Sequence, residues 1–263
     1  MKFTLGFSPC PNDTFIFYAL LNNKIDSKGI AFEPIIEDVE SLNCRALASD
    51  LDVTKLSFAA YTQVQKNYEL LDSGSALGNN CGPLLISKRE ISKDEIPNCS
   101  VAIPGRHTTA NFLFTHFFPK VSLKKEMLFS KIEDALLNEE TDLGVIIHEN
   151  RFTYEKRGLK KVADLGELWE SETHLPIPLG GIVAKKTFPP EIISTIEKLI
   201  RESVLYAFQH PQETIPFVKK HSQTMEEEVM WQHIHLYVND YSISLGEKGR
   251  AAVEKFLSVN SAG

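Results

Sequence analysis

A histidine that closes an apolar run can move a proton where water is scarce. His148 follows Leu143-Gly144-Val145-Ile146-Ile147, a stretch as apolar as a strand covered on both faces. An imidazole with a reference pKa of about 6.5 suits proton transfer near neutrality. The plainer reading is a structural histidine at a strand end. Glu149, next in the chain, points to the opposite face if the strand continues, so it is not automatically the orienting partner. Among the eight histidines, His107 beside Thr108 suits binding better than base chemistry. His233 and His235 could chelate a metal only in extended backbone, because residues two apart diverge on a helix. The residues before them are helical in pattern, so no metal site is expected. His116, His174, His210 and His221 read as surface or capping residues.

Hydroxyls and amides gather at three places: Ser8-Pro9-Cys10-Pro11-Asn12-Asp13-Thr14, Lys55-Leu56-Ser57 and Gly105-Arg106-His107-Thr108-Thr109. Each reads as a strand-to-helix transition, where free N–H groups and the positive end of the helix dipole favour an anion. Asn12 is available as a cap there. An acidic protein could thus hold a small carboxylate-bearing substrate without a basic patch. Taken singly, each of these residues has a simpler role as a helix cap; three together, in two lobes, favour a small-molecule cleft. Nothing matches a P-loop or a dinucleotide fingerprint. The four cysteines, Cys10, Cys44, Cys81 and Cys99, form no Cys-x-x-Cys pair, so neither a zinc site nor a disulfide framework is indicated. Cys10 and Cys81 could line a pocket, but no adjacent base is visible to activate either thiol.

The elements that must position these groups alternate short β-rich runs with helical patterns, the signature of an α/β fold with mainly parallel pairing. Strands are expected at 2–7, 30–37, 53–57, 84–87, 100–103, 143–147 and 182–184. Helices are expected at 12–21, 39–48, 58–66, 109–117, 132–137, 192–208, 225–238 and 247–257. The charged run 151–161 reads as a solvated helix or turn, and 175–181, rich in Pro and Gly, as punctuation before a strand. Two chain crossings, near 97–100 and 175–181, divide the sequence into a larger lobe, 1–98 plus 180–263 with a helical tail, and a smaller lobe, 99–179.

Composition narrows the classes. The chain has 263 residues, with 28 Lys+Arg against 35 Asp+Glu, a formal charge of −7. That balance gives no general grip on nucleic acid or on an anionic membrane. At 43% hydrophobic and 24% charged the chain is an ordinary globular protein, and no apolar run approaches the roughly 20 residues that cross a bilayer. Residues 1–9 read as a first strand rather than a secretory leader, so a reducing cytoplasm is the expected compartment. No oligomeric state is implied.

The motifs Ser8-Pro9-Cys10-Pro11-Asn12-Asp13-Thr14-Phe15, Asp52-Val53-Thr54-Lys55-Leu56-Ser57, Pro104-Gly105-Arg106-His107-Thr108-Thr109-Ala110 and Ile147-His148-Glu149 resemble those of the 1,4-dihydroxy-6-naphthoate synthases of the futalosine route to menaquinone, in order and spacing over essentially the whole chain. The resemblance implies a type II periplasmic-binding-protein-like fold, two lobes with mixed, mainly parallel sheets about a ligand cleft, in a cytoplasmic enzyme. It implies a lyase that converts cyclic dehypoxanthinyl futalosine to 1,4-dihydroxy-6-naphthoate without a cofactor. His148 would then be the proton-abstracting base. Lys55, Leu56, Ser57, Thr108 and Thr109 would contact substrate, and Asn43 and Asn12 would face the cleft. A same-fold binding protein for small anions and the chorismate dehydratase of that pathway are the alternatives, and the motif over 8–15 argues against the dehydratase.

Overall fold

The computed structural model describes residues 1–222 and 226–262. The chain divides into two compact units, Met1–Gly78 with Pro178–Gly263, and Asn79–Ile177.

The first unit opens with β1 (Lys2–Phe7), α1 (Pro11–Leu21), β2 (Ala31–Ile36), α2 (Val39–Leu47), β3 (Val53–Ser57), α3 (Phe58–Val64), β4 (Tyr68–Leu70) and β5 (Ala76–Gly78). The second contains β6 (Leu84–Ser87), β7 (Val101–Ile103), α4 (Thr109–Phe117), β8 (Lys124–Glu126), α5 (Ile132–Leu137), β9 (Leu143–Ile146), α6 (Asn150–Thr153), β10 (Lys160–Asp164) and α7 (Leu165–Thr173). The chain then passes through β11 (Ile177–Lys185) into α8 (Pro190–Gln209), α9 (Pro211–His221), α10 (Glu227–Tyr237), α11 (Asp240–Ile243) and α12 (Gly246–Ala262). Among the described residues no helix is long and apolar enough to cross a membrane.

The first unit's sheet has the order β2-β1-β3-β11-β4, with β5 paired to β11. β1 runs parallel to β2 and β3, while β11 is antiparallel to β3 and β4. The second unit's sheet has the order β10-β6-β9-β7-β8; β7 is parallel to β8 and β9, and β6 is antiparallel to β9 and β10. Both sheets are therefore mixed, a parallel βα core with antiparallel strands added. Parallel pairing needs crossover helices, which the βα alternation supplies.

Leu5, Phe7, Phe15, Phe17, Ile182 and Ile200 belong to the first unit's apolar core. Leu84, Ile86, Ala102, Ile132, Leu136 and Ile146 build the second unit's. α1 is buried along almost its whole length, from Pro11 to Leu20, because α8, α9 and α10 pack against it in addition to the sheet it crosses. That surround explains why its sequence, Phe15-Ile16-Phe17-Tyr18-Ala19-Leu20-Leu21, lacks a polar stripe.

The first crossing differs from the sequence expectation: it falls between Gly78 and Asn79, not near 98. The reason is β6, whose ladder partners β9 and β10 lie in the second unit, so 79–98 belongs there. The second crossing falls between Ile177 and Pro178. The segment 175–181 is not mere punctuation, since β11 runs through Pro178, Gly180 and Gly181. A Cβ on Gly180 would stand 2.9 Å from the Leu56 carbonyl oxygen, so glycine lets β11 lie close against β3. The run 151–161 resolves into α6, a short 3-10 turn and the start of β10. The expected helix start at Met225 lies outside the described residues.

Candidate functional site

In the first unit, β1 and β3 are parallel neighbours, so their carboxyl ends emerge on one edge of the sheet and deliver Ser8 and Ser57 there. Alternation along β3 places Lys55 and Ser57 on one face and Leu56 on the other. Lys55, Ser57, Asn12 and Asn43 are all buried. Buried polar groups require partners, and these have them.

Asn43, on α2, forms a reciprocal pair with Ser57. The Ser57 N–H donates to Asn43 Oδ1 at 2.9 Å, and Asn43 Nδ2 donates to Ser57 Oγ at 3.2 Å. Ser57 occupies the N-cap position of α3 without making a side-chain cap bond. Its hydroxyl accepts from Asn43, and among the described residues no acceptor is found for the hydroxyl proton. Lys55 Nζ donates to the Gly74 carbonyl at 2.7 Å and lies 3.3 Å from Asp13 Oδ1. An ammonium has three donors, so one is left over.

Asn12 is not the cap the sequence suggests. Cys10 is the N-cap of α1, with Pro11 in the first turn, as the fixed φ of proline and its missing N–H favour. Asn12 instead donates from Nδ2 to Asp13 Oδ1 at 2.8 Å, and its Oδ1 lies 2.8 Å from His233 Nε2. Asp13 also accepts from the Ser8 N–H at 3.1 Å and the Ser8 hydroxyl at 2.7 Å. Leu56 is fully buried and is paired with Gly181 of β11. Lys55 and Asp13 thus form a buried, hydrogen-bonded ion pair, the arrangement that buried charge requires.

In the second unit, β7 leads through Gly105, at φ 146°, into α4. That backbone conformation belongs to glycine. Thr108 caps α4: its hydroxyl donates to the Gly105 carbonyl at 2.8 Å and accepts from the Asn111 N–H at 3.1 Å. The hydroxyl's one donor and one of its two acceptor positions are committed, so the plain capping role is real. Thr109 follows, buried, as the first residue of α4.

β9 ends at Ile146, and His148 sits two residues on, in a turn, at φ 59°. A histidine in the left-handed region is uncommon, and such strain concentrates at functional sites. The residue is half-buried, with Nε2 shielded from solvent and the Phe129 ring edge-on at 4.8 Å between centroids. Its carbonyl accepts from the Arg151 N–H at 3.3 Å. Because the strand has ended, its alternation does not carry to Glu149. That side chain is buried, and desolvation, aided by the nearby Glu133 carboxylate, holds its carboxyl above the ordinary value.

All four cysteines are free thiols. Burial pushes the Cys81 thiol up to about 12, which removes it as a thiolate nucleophile. Sequence reasoning missed Asp13, the acceptor on which the first unit's donors converge, and it considered His233 only as a metal ligand. A signal was present: Met230, His233, Ile234 and Tyr237 recur at helical spacing and form a buried stripe on α10.

Comparisons with known proteins agree in one direction. The model of a family described as menaquinone biosynthesis matches residues 3–262. A Thermus thermophilus protein named 1,4-dihydroxy-6-naphthoate synthase is 44% identical over 97% of this chain and 92% of its own length. A Streptomyces coelicolor protein of the same name is 38% identical over 97% and 91%. A crystal structure of a protein from Archaeoglobus fulgidus superposes with a TM-score of 0.93 at 34% identity, covering 99% of this chain and 97% of that one. A Candida albicans protein described as having the generic periplasmic binding protein fold superposes with a TM-score of 0.69 at 10% identity, covering 100% and 91%. The fold is therefore periplasmic-binding-protein-like.

Proposed function

Since this chain belongs to the menaquinone biosynthesis family and is a homologue of the 1,4-dihydroxy-6-naphthoate synthases, we propose that it is a lyase that converts cyclic dehypoxanthinyl futalosine to 1,4-dihydroxy-6-naphthoate in the cytoplasm, as a carbon–carbon cleavage started by His148. The observation that carries this reading is identity of 44% and 38% to proteins of that name over nearly the full chain.

The imidazole of His148 takes an acidic hydrogen from carbon beside a carbonyl. The electron pair left behind passes to the carbonyl oxygen as an enolate. In the retro-aldol step a hydroxyl of the sugar-derived fragment then gives its proton to water and becomes a carbonyl, the electron pair of the breaking carbon–carbon bond stays with the ring system, and the imidazolium returns its proton there. The sugar-derived three-carbon fragment departs, and the ring system gains aromatic stabilisation. A positioned base contributes about 10²–10⁴-fold, and each donor aimed at developing enolate charge is worth about 3 kcal/mol. No electron acceptor enters this balance, so the step needs no redox cofactor. Two groups suit a carboxylate-bearing substrate: the Ser57 hydroxyl proton and the remaining Lys55 donor. Asn43 and Asn12 fix these groups in place; Leu56 of the same unit and, separately, Thr108 and Thr109 of the second unit are the remaining contacts that the family resemblance implies.

Incubation of the protein with cyclic dehypoxanthinyl futalosine and, separately, with chorismate tests the reading. Release of 1,4-dihydroxy-6-naphthoate from the first and no change in the second is the expected result. Dehydration of chorismate, or binding of the cyclic compound without conversion, would overturn it.

A further inference from the structure

We propose that His233 is a positioning residue for the polar cluster at the amino end of α1, a role that rests on the reading of Lys55 as a substrate contact held in place through Asn12 and Asp13. His233 is fully buried on α10, far along the chain from every motif that marks the site. Its ring lies 4.7 Å from that of Tyr237, and α10 packs directly on α1.

The chemistry of Asn12 ties the two helices together. Its amide presents Nδ2 to Asp13 and Oδ1 to His233. The opposite orientation would aim the amide oxygen at a carboxylate oxygen, which repels it. Asp13 therefore selects the orientation, and an amide oxygen facing His233 requires a donor there. His233 carries its proton on Nε2. The donors then run in one sense: His233 to Asn12, Asn12 to Asp13, with Ser8 and Lys55 closing on the same carboxylate. Such chains polarise one another. Removing the imidazole donor leaves the Asn12 oxygen buried without a partner and frees the amide to turn. Asp13 then loses an acceptor bond from Asn12, and Lys55 is drawn toward it and away from a ligand.

A histidine that only filled the core would tolerate any isosteric ring. His233→Phe keeps the ring and removes the donor, whereas His233→Gln keeps a donor at the same number of bonds from the backbone. With cyclic dehypoxanthinyl futalosine as substrate, His233→Phe is expected to raise KM about tenfold while kcat changes little, and His233→Gln to recover most of the loss. A KM in His233→Phe equal to that of the wild type, or equal losses in both variants, overturns the proposal. Nitrogen NMR of the full-length, histidine-labelled protein supplies a readout independent of turnover and of how His233→Phe folds. Protonation at Nε2, with a resonance that moves in Asn12→Ala, supports the proposal, and protonation at Nδ1 overturns it. Should the wild type not convert the substrate, the functional reading fails while the NMR result still decides the role of His233.

Discussion

Two side chains carry separable consequences at the scale of single residues. Ser57 joins the Asn43 amide to a hydroxyl proton that no other described residue takes. Ser57→Ala removes the hydroxyl and with it the bond from Asn43 Nδ2, while the backbone N–H still donates to Asn43 Oδ1, so KM is expected to rise roughly tenfold with a small change in kcat. Steady-state kinetics decides it, and an unchanged KM would remove Ser57 from the contact set. Glu149 is a matter of stability. Its carboxyl is held above 4.5 by burial first and by Glu133 second. A carboxyl raised on folding resists ionisation in the native state, so its contribution is fully present below the unfolded value and is lost as pH rises through the folded one. Glu149→Gln should therefore melt higher than the wild type at about pH 8 and lose that advantage at about pH 4. A gap that stays constant with pH contradicts the assignment.

Close backbone contacts decide what can change at the scale of elements. Gly82, just before β6, and Gly166, at the start of α7, lie so near that a Cβ on Gly82 would fall on the Gly166 backbone. Asp164 ties the same place down, accepting from the Gly166 and Glu167 N–H groups and pairing with Arg151 at 2.6 Å. Gly82→Ala is expected to cost about 1–3 kcal/mol, since backbone cannot yield as a flexible side chain does. Denaturant unfolding would show it, and wild-type stability would refute it. The elements legible from sequence were those with a local signature. β1, β3, β6, α4 and α5 stand where apolar pattern and capping put them. The strands β4, β5, β8 and β10 did not announce themselves. Each is held by partners distant in sequence, as β4 is by β11; β4, β5 and β8 are three residues long and carry too little pattern to read, and β10 lies in a charged run.

The same non-local pairing governs the whole molecule. The division between units was misplaced by about one strand because β6 looks like its predecessors and only its ladder to β9 and β10 assigns it to the second unit. Ser57, Thr108, Thr109 and His148, flagged for chemistry, stand at or just beyond the carboxyl ends of strands with parallel partners, where α/β proteins bind ligands. What sequence could not supply was the far partner: His233 meets Asn12 across 221 positions, and nothing local links them. The protein that emerges is a menaquinone-biosynthesis enzyme on a periplasmic-binding-protein-like frame, whose proposed chemistry rests on His148. The most direct test is single-turnover conversion of cyclic dehypoxanthinyl futalosine by the wild type and by His148→Asn, with binding measured in parallel. Intact affinity and a rate of 1,4-dihydroxy-6-naphthoate formation lowered about 10²–10⁴-fold is the predicted result. Turnover by His148→Asn at the wild-type rate would contradict it.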